Sequence, residues 1–147
     1  MLLALVVTLI AVRFFGSRYQ KYTPEPEPIP AHVEAYASLQ HLTTTAFETR
    51  EDMATFYFRL TEIIKKYAEG RYGFGATSET SSELLHELES RQPEGIPLGE
   101  LRILLGQADL VKYAAVDGTS TEALDAIEQC RKMVDASRKS EEQLAQE

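Results

Sequence analysis

The chain has 147 residues, 44% of them hydrophobic and 26% charged, with a formal net charge of −8. That length suits one small domain with attachments, and the composition allows a packed core and excludes wholesale disorder. The charge is uneven: residues 1–22 hold Arg13, Arg18 and Lys21 and no acid, leaving 12 basic and 23 acidic residues, or −11, for the remainder. An acidic body without a concentrated basic face repels nucleic-acid phosphates. Cys130 is the only cysteine, so no intramolecular disulfide is possible, which fits a reducing compartment.

The first stretch, MLLALVVTLIAVRFFG, is apolar from Met1 to Val12 and again at Phe14 and Phe15. As a helix, Met1 to Phe15 reaches roughly 22 Å, against a hydrocarbon core about 30 Å thick. A secretory signal would carry positive charge before the run and a small-x-small site after it. Here the charges follow, and RFFGSRY is a poor cleavage site. A core helix is conceivable, but this run is apolar on all faces and leads straight into prolines. The expectation is a transmembrane anchor over residues 1–16, short by roughly five residues at its N-terminal end. Arg13 can snorkel to the interface beside Phe14, Phe15, Tyr19 and Tyr22. Because Arg13, Arg18 and Lys21 all lie after the run, the positive-inside rule places the rest in the cytoplasm.

Residues 17–30 read as a juxtamembrane linker. Pro24, Pro26, Pro28 and Pro30 alternate in YTPEPEPIP, and each lacks an N–H and disfavours a helical residue before it. An extended stalk from Thr23 to Pro30 spans on the order of 25 Å.

From residue 31 to 137 the apolar spacing is helical, and no alternating strand pattern rivals it. AHVEAYASLQHL follows Pro30 and sets Ala35, Leu39 and Leu42 on one stripe. The longest element starts at Thr49 and Asp52, places Met53, Phe56, Tyr57, Leu60, Ile63, Ile64 and Tyr67 on one face, and stops at Gly73. Thr80 with Glu83 reads as a capping box ahead of Leu84, Leu85 and Leu88. After a loop at Pro93, Gly95 and Pro97 comes a helix with Leu98, Leu101, Leu104, Leu105, Ala108 and Val111 inward. A second capping box, Thr119 with Glu122, opens a helix with Leu124, Ile127, Cys130 and Val134 inward. Residues 138–147 form a polar tail too poor in apolar side chains to pack. The fold class is all-α: an N-terminal transmembrane helix, a Pro-rich stalk and a compact bundle of about five helices.

No constellation points to catalysis, and the expectation is a non-enzyme without cofactor or metal. Gly70, Gly73 and Gly75 in GRYGFG end a helix, whereas a phosphate cradle follows a strand and opens a helix. His32, His41 and His86 are dispersed and lack metal-site spacing. Ser81, Ser82 and His86 are near in sequence, but capping explains the serines and a solvated face the histidine. Glu62 and Lys66 read as an i, i+4 pair on an outer face. Two candidate interaction faces remain. Arg59, Lys65, Lys66 and Arg71 form the only basic cluster of the acidic body, suited to an acidic partner or a membrane surface. In ADLVKYA, Asp109 and Lys112 are spaced to pair at a helix end that reads equally as core packing or an interaction edge.

The blocks HVEAYASLQHL, FYFRLTEIIKKYAEGRYGF, TSSELLHEL, LLGQADLVKYAA and STEALDAIEQCRKMVD, taken in this order, resemble the C-terminal cytoplasmic part of small membrane-anchored bacterial proteins. Those are encoded beside MoxR-type AAA+ ATPases and von Willebrand A-domain proteins in Bat (aerotolerance) operons. The resemblance covers roughly residues 32–136 and departs at TSSELL, where a Thr-Thr-Glu-Glu pattern is usual. It implies no enzymatic activity. It implies a single-pass protein of the bacterial inner membrane whose cytoplasmic domain is an accessory interaction module of that ATPase and A-domain system. The alternative from another class is a winged-helix-like nucleic-acid-binding module tethered to the membrane, which the −11 body opposes.

Overall fold

The computed structural model describes residues 28–44, 47–139 and residue 146. The expected anchor, most of the stalk and nearly all of the polar tail lie outside the described residues. No helix among the described residues is long and apolar enough to cross a membrane.

Five α-helices and one 3-10 turn make up the regular structure of the described residues. They are α1 (Ala31–Leu42), α2 (Arg50–Tyr72), the turn Ala76–Ser78, α3 (Ser81–Arg91), α4 (Leu98–Tyr113) and α5 (Ser120–Ser137). The start signals act as their spacing predicts. The Thr49 side chain accepts from the Asp52 N–H at 3.1 Å while the Asp52 carboxylate accepts from the Thr49 N–H at 2.9 Å. Thr80 with Glu83 and Thr119 with Glu122 form the same reciprocal boxes at α3 and α5. Each box satisfies two backbone donors that the helix itself leaves orphaned. These hydrogen bonds hold the Asp52 and Glu83 carboxyls below their usual range. Gly73 ends α2 in the left-handed conformation, φ +72°, while Gly70 lies inside α2 and Gly75 caps the 3-10 turn, so of the three GRYGFG glycines only Gly73 terminates the helix. Pro30 is the residue capping α1, outside its first turn.

Helix α2 is the hub, packing against α1, α4, α5 and the 3-10 turn. Its Phe56, Leu60, Ile64 and Tyr67 meet Leu39 of α1, Leu84 and Leu88 of α3, Leu104 and Leu105 of α4 and Cys130 and Val134 of α5 in one buried cluster. Ile63, Leu85 and Leu98 pack at its margin, partly buried. Leu124 departs from expectation: it is 50% exposed. The inward stripe of α5 runs Ala123, Ala126, Ile127, Cys130, Met133, Val134 and Ser137, and Leu124 sits about 100° round the helix from Ala123. Ala123 and Ala126 are buried instead, at 0% and 2% exposed. Burial pushes the Cys130 thiol up to about 12.

Polar ties fasten α5 to the other helices. Tyr67 donates to the Ser137 hydroxyl at 2.8 Å, which in turn donates to the Met133 carbonyl at 2.6 Å. Tyr36 of α1 donates to Asp135, and Arg131 donates to Gln40 at 3.0 Å. Desolvation first, then the Asp135 carboxylate, pushes the Tyr36 hydroxyl up to about 12. The Glu69 carboxylate accepts from the N–H and the hydroxyl of Thr77 at 2.9 and 2.6 Å, clamping the 3-10 turn to α2.

Candidate interaction edge

Lys112 lies in the last turn of α4, where α4 crosses the middle of α2. Its side chain is only 4% exposed, so its charge must be satisfied locally. The ammonium lies 2.9 Å from the Asp109 carboxylate and donates to the Thr61 hydroxyl at 3.4 Å. Thr61 donates its own proton to the Tyr57 carbonyl at 2.8 Å, which leaves its lone pairs for the lysine. The ammonium is 5.3 Å from the Phe58 ring centroid and 5.1 Å from that of Tyr113, within cation–π range of both. The two rings meet edge to face at 5.8 Å. Phe58 is nevertheless 44% exposed and Tyr113 70% exposed. The result is a fixed aromatic pair facing water, held from beneath by a buried cation.

The pair separates two clefts. One, of about 370 Å³, is lined by Lys65, residues 77–82, Asp109, Lys112 and Tyr113. It is rich in hydroxyls; Ser81 donates to Asp109 at 3.1 Å, and Glu79 Oε2 is buried without a hydrogen-bond partner. The other, of about 410 Å³, is lined by residues of α1 and α2, including His41, Phe58, Arg59 and Ile63.

The basic cluster read from the sequence is spread out. Lys65 pairs with Glu62 at 3.6 Å, and Lys66 pairs across helices with Glu34 at 2.5 Å. The expected Glu62–Lys66 pair is therefore replaced: α1 crosses α2 and offers Lys66 a nearer carboxylate, leaving Glu62 to Lys65. Arg71 donates to the Ser137 carbonyl at 2.7 Å and lies over the Tyr72 ring. Arg59 is exposed and makes no ion pair among the described residues. Of these four cations only Lys65 shares a cleft with Asp109 and Lys112. Phe58 and Thr61 belong to the edge with no site signal in the sequence beyond an aromatic at 58 off the buried stripe of α2. Ser81, read from the sequence as a capping serine, instead donates to Asp109 while Thr80 is the cap.

No group of three His, Cys, Asp or Glu side chains placed to hold a metal ion occurs among the described residues. No family model, no curated protein and no solved structure matches the chain.

Proposed function

We propose that the protein is a membrane-tethered interaction module whose cytoplasmic helical domain engages protein partners through the edge around Phe58, Asp109, Lys112 and Tyr113. The observation that carries this reading is the exposed aromatic pair fixed by a buried ammonium. Aromatic side chains supply much of the energy at protein interfaces, and a pair already locked in place loses little entropy on binding. The basic residues are spread out, with Lys65 and Lys66 held in separate ion pairs and Arg71 on the Ser137 carbonyl, which favours this edge over a cationic face. The partners are a MoxR-type AAA+ ATPase and von Willebrand A-domain proteins, as the sequence resemblance implies. The tether would act through effective concentration: confinement to a bilayer, with a stalk for reach, keeps a weak face near its target.

The test is co-purification of the tagged full-length chain from membranes, followed by identification of what comes with it. Recovery of a MoxR-type ATPase or an A-domain protein, lost on Phe58→Ser with Tyr113→Ser, is expected. Recovery undiminished by that double change would remove the edge from the account.

A further inference from the structure

The core-facing side of α4 is Leu101, Leu104, Leu105, Ala108 and Val111. Its opposite side is also apolar. Gly99, Ile103, Gly106 and Leu110 follow one another at intervals of four, three and four, which sets them on one line of the helix. Ile103 is 61% and Leu110 51% exposed. A Cβ added at Gly99 or Gly106 would meet nothing within 4 Å. Three other glycines have local reasons: an added Cβ would come within 2.9 Å of Ala31 at Gly70 and within 2.5 Å of the Ala136 carbonyl at Gly95, and Gly73 takes a left-handed φ of +72°. Gly99 sits in the first turn of α4, but Gly106 is inside the helix, where glycine costs about 1 kcal/mol relative to alanine, so Gly106 needs a reason outside the described fold.

We propose that this line is a self-association seam, in which α4 pairs antiparallel with α4 of a second copy of the chain. In an antiparallel knobs-into-holes pair, a and d positions face each other across the seam. With Ile103 and Leu110 at a and Gly99 and Gly106 at d, Ile103 faces Gly106 of the second copy and Leu110 faces its Gly99. Every large residue therefore meets a hole, and by two-fold symmetry each contact occurs twice. The flanks agree in charge. In the same register Arg102, which pairs with Glu89 of its own chain, comes opposite Asp109 of the second copy, itself paired with Lys112. Glu100 comes opposite Gln107, so no like charges meet and the flanks permit the pairing without driving it. A parallel pair in register would instead stack glycine on glycine and Ile103 on Ile103, leaving the holes empty, and would set Arg102 beside the neutral Gln107. Tyr113 lies one step past the last of these layers and meets the Phe58 ring, so the seam stops short of the aromatic pair, and Asp109 on its flank is the one residue it shares with the edge. The seam is short, about 17 Å between its end residues, and so suits a weak association strengthened by confinement.

The experiment is sedimentation equilibrium of the purified full-length chain over a concentration series, in a density-matched mild detergent. Three proteins are compared: wild type, Gly106→Leu, and Gly106→Leu combined with Ile103→Ala. All the changed positions are exposed, and circular dichroism checks that helix content is kept. Wild type should dimerise. Gly106→Leu fills the hole that receives Ile103 and should lower the association constant about tenfold or more, the effect of one misfitted layer. It should raise the unfolding midpoint at the same time, because leucine is the better helix former. The combined variant exchanges knob and hole and should restore association. As a check on register, mixing Ile103→Cys chains with Gly106→Cys chains under mild oxidation should yield the mixed disulfide. A wild type that stays monomeric overturns the proposal and leaves the seam to a different partner. Association that Gly106→Leu does not weaken also overturns it, since self-pairing through the apolar N-terminal residues would behave in that way.

Discussion

Replacing Lys112 measures how firmly the aromatic edge is held. Lys112→Ala removes the ammonium from its places 5.3 and 5.1 Å from the Phe58 and Tyr113 centroids, a loss of about 0.5–1 kcal/mol for each exposed ring. The 3.4 Å hydrogen bond to Thr61 is long and contributes about 0.5 kcal/mol. Asp109 is more than a third exposed, so solvent screening limits that ion pair to about 0.5 kcal/mol. Truncation also exposes space once filled by three methylenes, about 2 kcal/mol of lost burial. Against these losses stand the recovered desolvation of the ammonium and about 1.5–2 kcal/mol of side-chain entropy. The net expectation is a destabilisation of about 2 kcal/mol for Lys112→Ala. Lys112→Met keeps most of the buried stem and no longer buries a charge, so it should lose less than about 1 kcal/mol. Urea unfolding followed by circular dichroism, with both variants beside wild type in one detergent, reads the difference directly. In thermal unfolding the alanine variant should melt about 6–10 °C lower. If both variants fall within about 0.5 kcal/mol of wild type, the ammonium is solvated and the edge is not pinned.

Three further outcomes are expected. Leu60→Asp, which puts a carboxylate at a fully buried position of α2, should abolish the helical far-ultraviolet spectrum and cooperative melting, because an unpaired buried charge exceeds the margin of a domain with about 5–10 kcal/mol of stability; a folded variant would mean the core is misassigned. Tyr36→Phe should flatten the alkaline loss of stability: the folded hydroxyl titrates near 12 against a usual 10.0, so its contribution is intact below pH 10 and is lost as the pH rises towards 12. Equal alkaline slopes for variant and wild type would remove that role. For the tether, a fluorescent reporter fused after Glu147 should light and alkaline phosphatase fused there should stay inactive, with the chain retained on membranes after high-salt washing; an active phosphatase would reverse the proposed orientation.

The helices are legible in the sequence because their determinants are local. Thr49 with Asp52, Thr80 with Glu83 and Thr119 with Glu122 each act over three residues, and the stripe from Met53 to Tyr67 repeats within one helix. Leu124 misleads because Ala123 and Ala126 carry little hydrophobic signal, so the larger leucine sets the apparent phase of the helix wrongly. The edge is legible only in part. Asp109 and Lys112 are three apart and pair as their spacing predicts, but Thr61 lies 51 residues before Lys112 and meets it only because α2 and α4 cross. The exchange of Lys66 from Glu62 to Glu34 has the same origin: a choice between carboxylates is made by helix packing, which no spacing within α2 encodes.

If the edge built on Phe58, Lys112 and Tyr113 is the working surface, its most direct test is the affinity of the full-length chain for the partner proposed above, a purified MoxR-type ATPase or A-domain protein from the same organism. Wild type is compared with Phe58→Ser plus Tyr113→Ser and with Lys65→Glu plus Lys66→Glu. Removing the aromatic pair should weaken binding about 30-fold or more, the effect of losing one interface hot spot, while the charge reversal should change it by less than about threefold. Binding that survives loss of both rings and collapses on charge reversal would contradict the claim and hand the function to the basic residues.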